Sequence, residues 1–309
     1  MSYPNSSTRL ARRRPLIIGV RDSGVGGLTV ARCIQKALPH ARLLYFADTA
    51  HVPYGGRAPA EVRFFALSIA DFLINRGAQI VVFACNTSSA VALEAAREAL
   101  PVPVVGTIHP GARAAVGQSK NNRIGVLATQ ATVESQVYTH SIQALNPAVR
   151  VLEIACPEFV PLVESEETET AAARDAAVRY LQPLIEFGAD TIVLGCTHYP
   201  LLLPVLQMAA RELNAPHLQF VDPAQAVAQD VRKLAQQVQD SQIEYSNEAS
   251  APPDHTFFVS GEQDGVRHWI QNLLQIPHPH IEHGPVFEFA NEEFTAKDAK
   301  SAKEKKDAE

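Results

Sequence analysis

Two cysteines hold the same place in two similar segments of the chain. NRGAQIVVFACNT carries Cys85 and EFGADTIVLGCTH carries Cys196, and the segments align at a constant offset, Gly77 with Gly188 and Ala78 with Ala189. A thiolate is a nucleophile and a proton acceptor. One cysteine at a strand end is commonly a small buried hydrophobe. Two in matched positions, each before an apparent helix start whose positive dipole end favours a thiolate, point to acid–base or nucleophilic work. His198, two residues beyond Cys196, could orient or protonate that thiol, or simply be packed. Cys33 falls inside a helical apolar pattern and is expected in the core. Cys156 ends a strand, but Pro157 removes the following N–H, so a structural role is expected there.

Other chemistries fit less well. DSGVGG at 22–27 lies between a strand and a helix but lacks the Lys-Ser/Thr ending of a phosphate loop and the full G-x-G-x-x-G spacing. It reads as a tight turn in which glycine relieves unusual dihedrals, or as a turn whose helix N–H groups take a carboxylate. Zinc needs three or four convergent ligands. The neighbours of Cys85, Cys196 and His198 are Asn and Thr rather than further Cys or His, so no metal is expected. Between 15 and 290 the only lysines are Lys36, Lys120 and Lys233, all away from the strand ends, so a pyridoxal Schiff base is not expected either.

The elements that must position these residues are short apolar runs alternating with helical stretches, the pattern of βα units on parallel sheets. Runs at Leu16–Val20, 43–48 and 80–84 are echoed by runs at 123–129, 151–156 and 191–195, which predicts two related, doubly wound α/β halves. Further strands are expected at 218–222 and 256–261, with a helix over 265–274. Ligands on such sheets bind beyond the carboxyl ends of the strands. Here those ends read DSGVGG, DTAHVPYGG, ACNTSS, GVLATQAT, CPEFVPLVE and GCTHYP, polar against apolar strands.

Composition bounds the rest. The chain has 309 residues, 46% hydrophobic and 19% charged, which suits two soluble domains. No apolar run approaches the roughly 18 residues of a membrane span. The net charge of −6 is uneven: Arg9, Arg12, Arg13 and Arg14 make a basic arm of 1–14, while the body is acidic. An acidic body argues against nucleic acid as main partner. Four cysteines without a CxxC pair are expected to be free thiols, and the LIIGV run is too short for a signal-peptide core, so a cytoplasmic protein is expected. SNEASAPPD is expected as a flexible loop, and 291–309 as a charged, disordered tail.

DSGVGGLTV (22–30), VPYGGR (52–57), ACNTSSA (84–90) and LGCTHYPLL (194–202) together resemble glutamate racemases of the aspartate/glutamate racemase superfamily, with similarity running from about Leu16 to Phe287. The resemblance implies two α/β domains related by a pseudo-twofold, with the active site in the cleft between them. The first is expected over 15–107 plus 215–290 and the second over 108–214. It implies a cofactor-free, two-base reaction supplying D-glutamate for peptidoglycan, with Cys85 serving the D-enantiomer and Cys196 the L-enantiomer. Asp22 and His198 match the groups that assist the thiols, and Glu164 a further supporting carboxylate. Substrate binding is carried over to Asp22, Ser23, Tyr54, Gly55, Asn86, Thr87, Thr197 and His198, with Thr129 in addition. Arg21 and Ser88 depart from the family pattern, where an aromatic and an alanine are usual; if Arg21 faced solvent it would matter little. The expected partner is glutamate, not a membrane. A homodimer and a cell-wall precursor as activator stay open. The alternatives are an aspartate or broader amino-acid racemase, a cysteine-dependent isomerase or decarboxylase acting on a dicarboxylic acid, and a non-catalytic regulator on the same fold.

Overall fold

Strands buried on both faces need apolar side chains on both, so they appear as continuous hydrophobic runs. In the computed structural model, which describes residues 15–241 and 253–290, such runs form β1 (Ile17–Asp22), β2 (Arg42–Ala47), β3 (Ile80–Phe83), β5 (Arg123–Ala128), β7 (Thr191–Gly195) and β9 (Thr256–Val259); the edge strands β4 (Val104–Gly106), β6 (Arg150–Ala155), β8 (Gln219–Val221) and β10 (His280–His283), shorter or less apolar, complete the set among the described residues. They make two all-parallel sheets, ordered β10-β9-β2-β1-β3-β4 and β6-β5-β7-β8. The basic arm, most of the SNEASAPPD loop and the 291–309 tail lie outside the described residues.

The helices are α1 (Leu28–Ala37), α2 (Pro59–Asn75), α3 (Asn86–Ala99), α4 (Ile108–Gln118), α5 (Gln130–Ser135), α6 (Val137–Leu145), α7 (Phe159–Glu164), α8 (Ala171–Glu186), α9 (Leu203–Glu212), α10 (Ala224–Ser241) and α11 (Asp264–Leu274). They cover both faces of each sheet. Successive strand residues point to opposite faces, so Leu43, Tyr45, Ile80 and Val82 pack toward α1, α10 and α11. Leu44, Phe46, Val81 and Phe83 pack toward α2 and α3. In the second sheet Ile192 and Leu194 meet α8 and α9, while Ile124, Val126 and Val193 meet α4 and α6. Among the described residues, no helix is long and apolar enough to cross a membrane.

The repeat is visible in the topology: β2-β1-β3-β4 and β6-β5-β7-β8 follow one order, and β9 and β10 extend the first sheet. The matched glycines also share a backbone state. Gly77 has φ +96° and Gly188 φ +80°, a region that favours glycine. Gly77 N–H donates to Ile74 O at 2.8 Å and Ala78 N–H to Leu73 O at 3.0 Å; Gly188 and Ala189 bond to Ile185 and Leu184 at the same two distances. Each pair closes a helix and aims the next strand at a cysteine.

Two strands have no counterpart in the sequence reading. β4 is three residues long and follows Pro101 and Pro103, and β10 is polar (HIEH), so neither carries an apolar-run signal. β8 pairs with β7, which puts 219–221 in the second sheet, beyond the expected edge at 214. The chain returns to the first domain through α10, whose Val227 and Val231 join the core beneath α1.

Candidate active site

The carboxyl ends of strands from both sheets converge on a cavity of about 240 Å³. From the first domain it is lined by Ser23, Tyr54, Gly55, Cys85 and Thr87, and from the second by Thr129, Cys196, Thr197 and His198. Drug-sized ligands usually occupy about 300–1,000 Å³, so this volume suits a small metabolite.

Cys85 follows β3 and stands at the N-terminus of the 14-residue α3, where unpaired N–H groups and the dipole favour negative charge. Its carbonyl accepts from Ser89 N–H at 3.0 Å and Ser88 Oγ–H at 3.1 Å, which fixes the turn. Burial and the Asp22 carboxylate push the Cys85 thiol above its usual range, while Arg21 and the Ser88 N–H pull it down. Cys196 is placed differently. Only a four-residue 3-10 turn, Tyr199–Leu202, follows before α9, so a full helix start faces Cys85 alone.

What Cys196 has instead is an imidazole. Its Sγ lies 3.7 Å from His198 Nδ1, and His198 Nε2 lies 2.6 Å from Glu164 Oε1. Burial works against charge on this ring, but its bonds to Cys196 and Glu164 win and hold it protonated well above the usual histidine range. The imidazole thus stands between a thiol and a carboxylate and sets a positive charge against the Cys196 sulfur.

Asp22, Glu164 and Asn86 stand one layer behind the cavity wall. Asp22 is fully buried; its Oδ1 accepts from Thr197 Oγ–H at 3.2 Å and its Oδ2 from Gly24 N–H at 3.1 Å. Asn86 Oδ1 accepts from Thr107 Oγ–H at 2.9 Å and from Tyr138 O–H at 2.7 Å, so this amide ties the first domain to α6. A second tie is the hydroxyl pair Thr87–Thr129, 2.9 Å apart.

The glycines of DSGVGG do not relieve unusual dihedrals. None of Gly24, Gly26 and Gly27 has a positive φ. A Cβ on Gly26 would lie 2.6 Å from both His198 Nδ1 and Thr197 Oγ1, so glycine is needed because the two domains touch there. Arg21, whose orientation decides its weight, is fully buried rather than facing solvent.

The sequence reading missed Val160, Pro161 and Gln130 as cavity lining, because apolar or common polar residues carry no chemical signal. Cys156 also lines it; its Sγ donates to Ile154 O at 3.4 Å and burial pushes its thiol well up, which suits a structural role. Cys33 is half-buried against the first core.

Comparison with known proteins agrees with this architecture. The family model described as Asp/Glu/Hydantoin racemase matches residues 28–231. The chain is 41% identical over 269 residues to a glutamate racemase of Listeria innocua, covering 86% of this chain and 97% of the relative. It is 43% identical over 244 residues to a glutamate racemase of Enterococcus faecalis, covering 79% and 86%. Among solved structures, a glutamate racemase isoform of Bacillus anthracis superposes with TM-score 0.78 at 34% identity, over 88% of this chain and 98% of that one. The Escherichia coli glutamate racemase, solved with L-glutamate and the activator UDP-MurNAc-Ala, gives 0.72 at 29%, over 89% and 100%. The chain belongs to the glutamate racemase family, within the Asp/Glu/Hydantoin racemases.

Proposed function

We propose that the protein is a cofactor-independent glutamate racemase with Cys85 and Cys196 as its two bases. One observation carries this reading: thiols from equivalent strand ends of the two domains open onto one small cavity. Inversion at an α-carbon passes through a planar carbanion, so a proton must leave by one face and return by the other. In the L-to-D direction the Cys196 thiolate takes the α-proton and the Cys85 thiol supplies one to the opposite face. The D-to-L direction exchanges the roles. His198 and Glu164 support the Cys196 thiolate, and Asp22 helps to govern the Cys85 side. Ser23, Thr87 and Thr197 hold the carboxylates and ammonium, Tyr54, Gly55 and Thr129 shape the pocket, and Asn86 supports them from behind through Thr107 and Tyr138.

The product D-glutamate serves peptidoglycan synthesis in the cytoplasm. The domain partition of 15–107 with 215–290 around 108–214 is retained, with the second crossing moved past β8.

The test is incubation with L-glutamate in D2O with EDTA and no added cofactor, following circular dichroism and α-deuteration together. Loss of the optical signal as deuterium enters glutamate is the expected result. Turnover of L-aspartate in its place would move the protein to the sister activity. Inactivity on both, persisting after addition of a UDP-linked cell-wall precursor, would overturn the proposal; activity appearing only with the precursor would make it an activator.

A further inference from the structure

Arg21 immediately precedes Asp22 in β1, and the alternation of the strand sends the two side chains to opposite faces. Arg21 enters the layer of α2 and α3 without lining the cavity. Its guanidinium donates from Nη1 to Ser88 Oγ and from Nη2 to Tyr54 Oη at 2.9 Å, and lies over the rings of Tyr54 at 5.2 Å and Phe83 at 5.6 Å. Among the described residues no carboxylate comes within ion-pair distance, and Nε is buried without a hydrogen-bond partner.

Both contacts lead onward. Ser88 Oγ–H donates to the Cys85 carbonyl at 3.1 Å, and Tyr54 O–H donates to the buried Asp48 at 2.5 Å. Asp48 also accepts from Ser260 at 2.8 Å and contacts His51 at 2.9 Å. The two departures from the family pattern therefore touch each other. An alanine at 88 would leave Nη1 without this acceptor, and an aromatic at 21 would make no use of the hydroxyl.

Burying a cation without an ion-pair partner is costly, and here two hydrogen bonds and two ring faces hold it in place. We propose that Arg21 is a positioning residue for the Cys85 half of the site, a permanent positive charge behind the thiol and tied to its turn through Ser88. It favours the thiolate at Cys85 as the His198 imidazolium does at Cys196. The inference deepens the two-thiol reading above and rests on it for its catalytic meaning. The groups facing Cys85 are Arg21 and Asp22 from β1, Tyr45 from β2, Tyr54 from its 3-10 turn, the Ser88 N–H from α3, and Cys196 across the cavity. Burial, Asp22 and Cys196 oppose the thiolate; Arg21 and the Ser88 N–H favour it. The guanidinium itself stays charged: burial works against it, but Tyr54, Cys85, Asp22 and Asp48 outweigh that.

Steady-state kinetics in the two directions cannot separate the thiols, because enantiomers have equal free energy and the two kcat/KM values must stay equal. Thiol titration can. The rate of iodoacetamide alkylation is measured against pH, with Cys85 and Cys196 peptides quantified separately by mass spectrometry. The wild type is compared with Arg21→Gln, which removes the charge but keeps a donor, and Arg21→Lys, which keeps the charge. In Arg21→Gln the Cys85 midpoint should rise by about one pH unit, and its rate at pH 7 should fall about tenfold. Cys196 should be unmoved and Arg21→Lys should restore most of the Cys85 rate. Equal behaviour of the Gln and Lys variants, or a common shift of both thiols, would leave Arg21 a packing residue and overturn the proposal. Should Arg21→Gln not fold, Arg21→Met with Ser88→Ala removes charge and acceptor together and is read by the same two outcomes. No substrate enters this assay, so a chain inactive on glutamate would defeat the racemase reading without touching this result.

Discussion

Cys85 and Cys196 end equivalent strands of two domains built to one topology, yet different groups surround them. The Cys85 half has a full helix N-terminus, a buried arginine and a buried aspartate. The Cys196 half has a short 3-10 turn and a histidine backed by a carboxylate. One thiol stands between a buried guanidinium and a buried carboxylate, the other against an imidazole held by a carboxylate. A duplicated fold thus fixes where two proton carriers stand without fixing how each is activated, because activation depends on side chains one layer behind the strand ends.

The harshest way to break the comparison is to remove a thiol. Cys85→Ser and Cys196→Ser should each lower turnover about 10²–10⁴-fold, the usual worth of a general acid or base. The circular dichroism assay checks this. A variant retaining near wild-type turnover would show that one of the halves is not catalytic.

Glu164→Gln acts on one half only. It removes a charge-assisted hydrogen bond of 2.6 Å, a type worth about 1.5–3 kcal/mol, so turnover should fall roughly ten- to a hundredfold. The sign of the pH effect follows from the raised His198. Its protonated form stabilises the fold fully below the ordinary histidine range, and that stability is lost as pH rises through the raised value. Glu164→Gln should therefore move the alkaline loss of activity and of melting temperature to lower pH. The Cys85 alkylation profile should stay in place.

Gly26→Ala tests the contact between the halves. A Cβ 2.6 Å from His198 and Thr197 should destabilise by about 1–3 kcal/mol and depress turnover, read by thermal melting and the same assay. Gly265→Ala, away from the cavity and with nothing within 4 Å of the added carbon, is the control and should leave turnover unchanged without lowering stability.

Tyr138→Phe is the mildest. It deletes the 2.7 Å bond to Asn86 Oδ1, which keeps its bond from Thr107, so a loss of about 1 kcal/mol in chemical denaturation is expected. The Cys85 profile should respond more than that of Cys196, since Asn86 begins the helix that Cys85 caps.

The sequence by itself determined the repeat, the parallel α/β architecture and the placing of both thiols, His198 and the Thr-rich turns at strand ends. Those follow from local rules: buried parallel strands must be apolar throughout, and the turns after them are left free to carry polar groups. Gly77 and Gly188 were legible as matched positions of the repeat, while their positive φ at the close of a helix is seen in the structure. Tertiary structure alone decided what lies behind the strand ends. β10 is held by pairing with β9 rather than by an apolar pattern. Gly26 is small because a histidine from the other domain lies against it. Most of all, Arg21 and Ser88 are far apart in the chain and meet only because β1 and β3 are adjacent and one residue of β1 points into the layer that holds α3. No local pattern encodes that meeting, because which face a strand residue takes, and what it finds there, is settled only when the sheet and its helices pack.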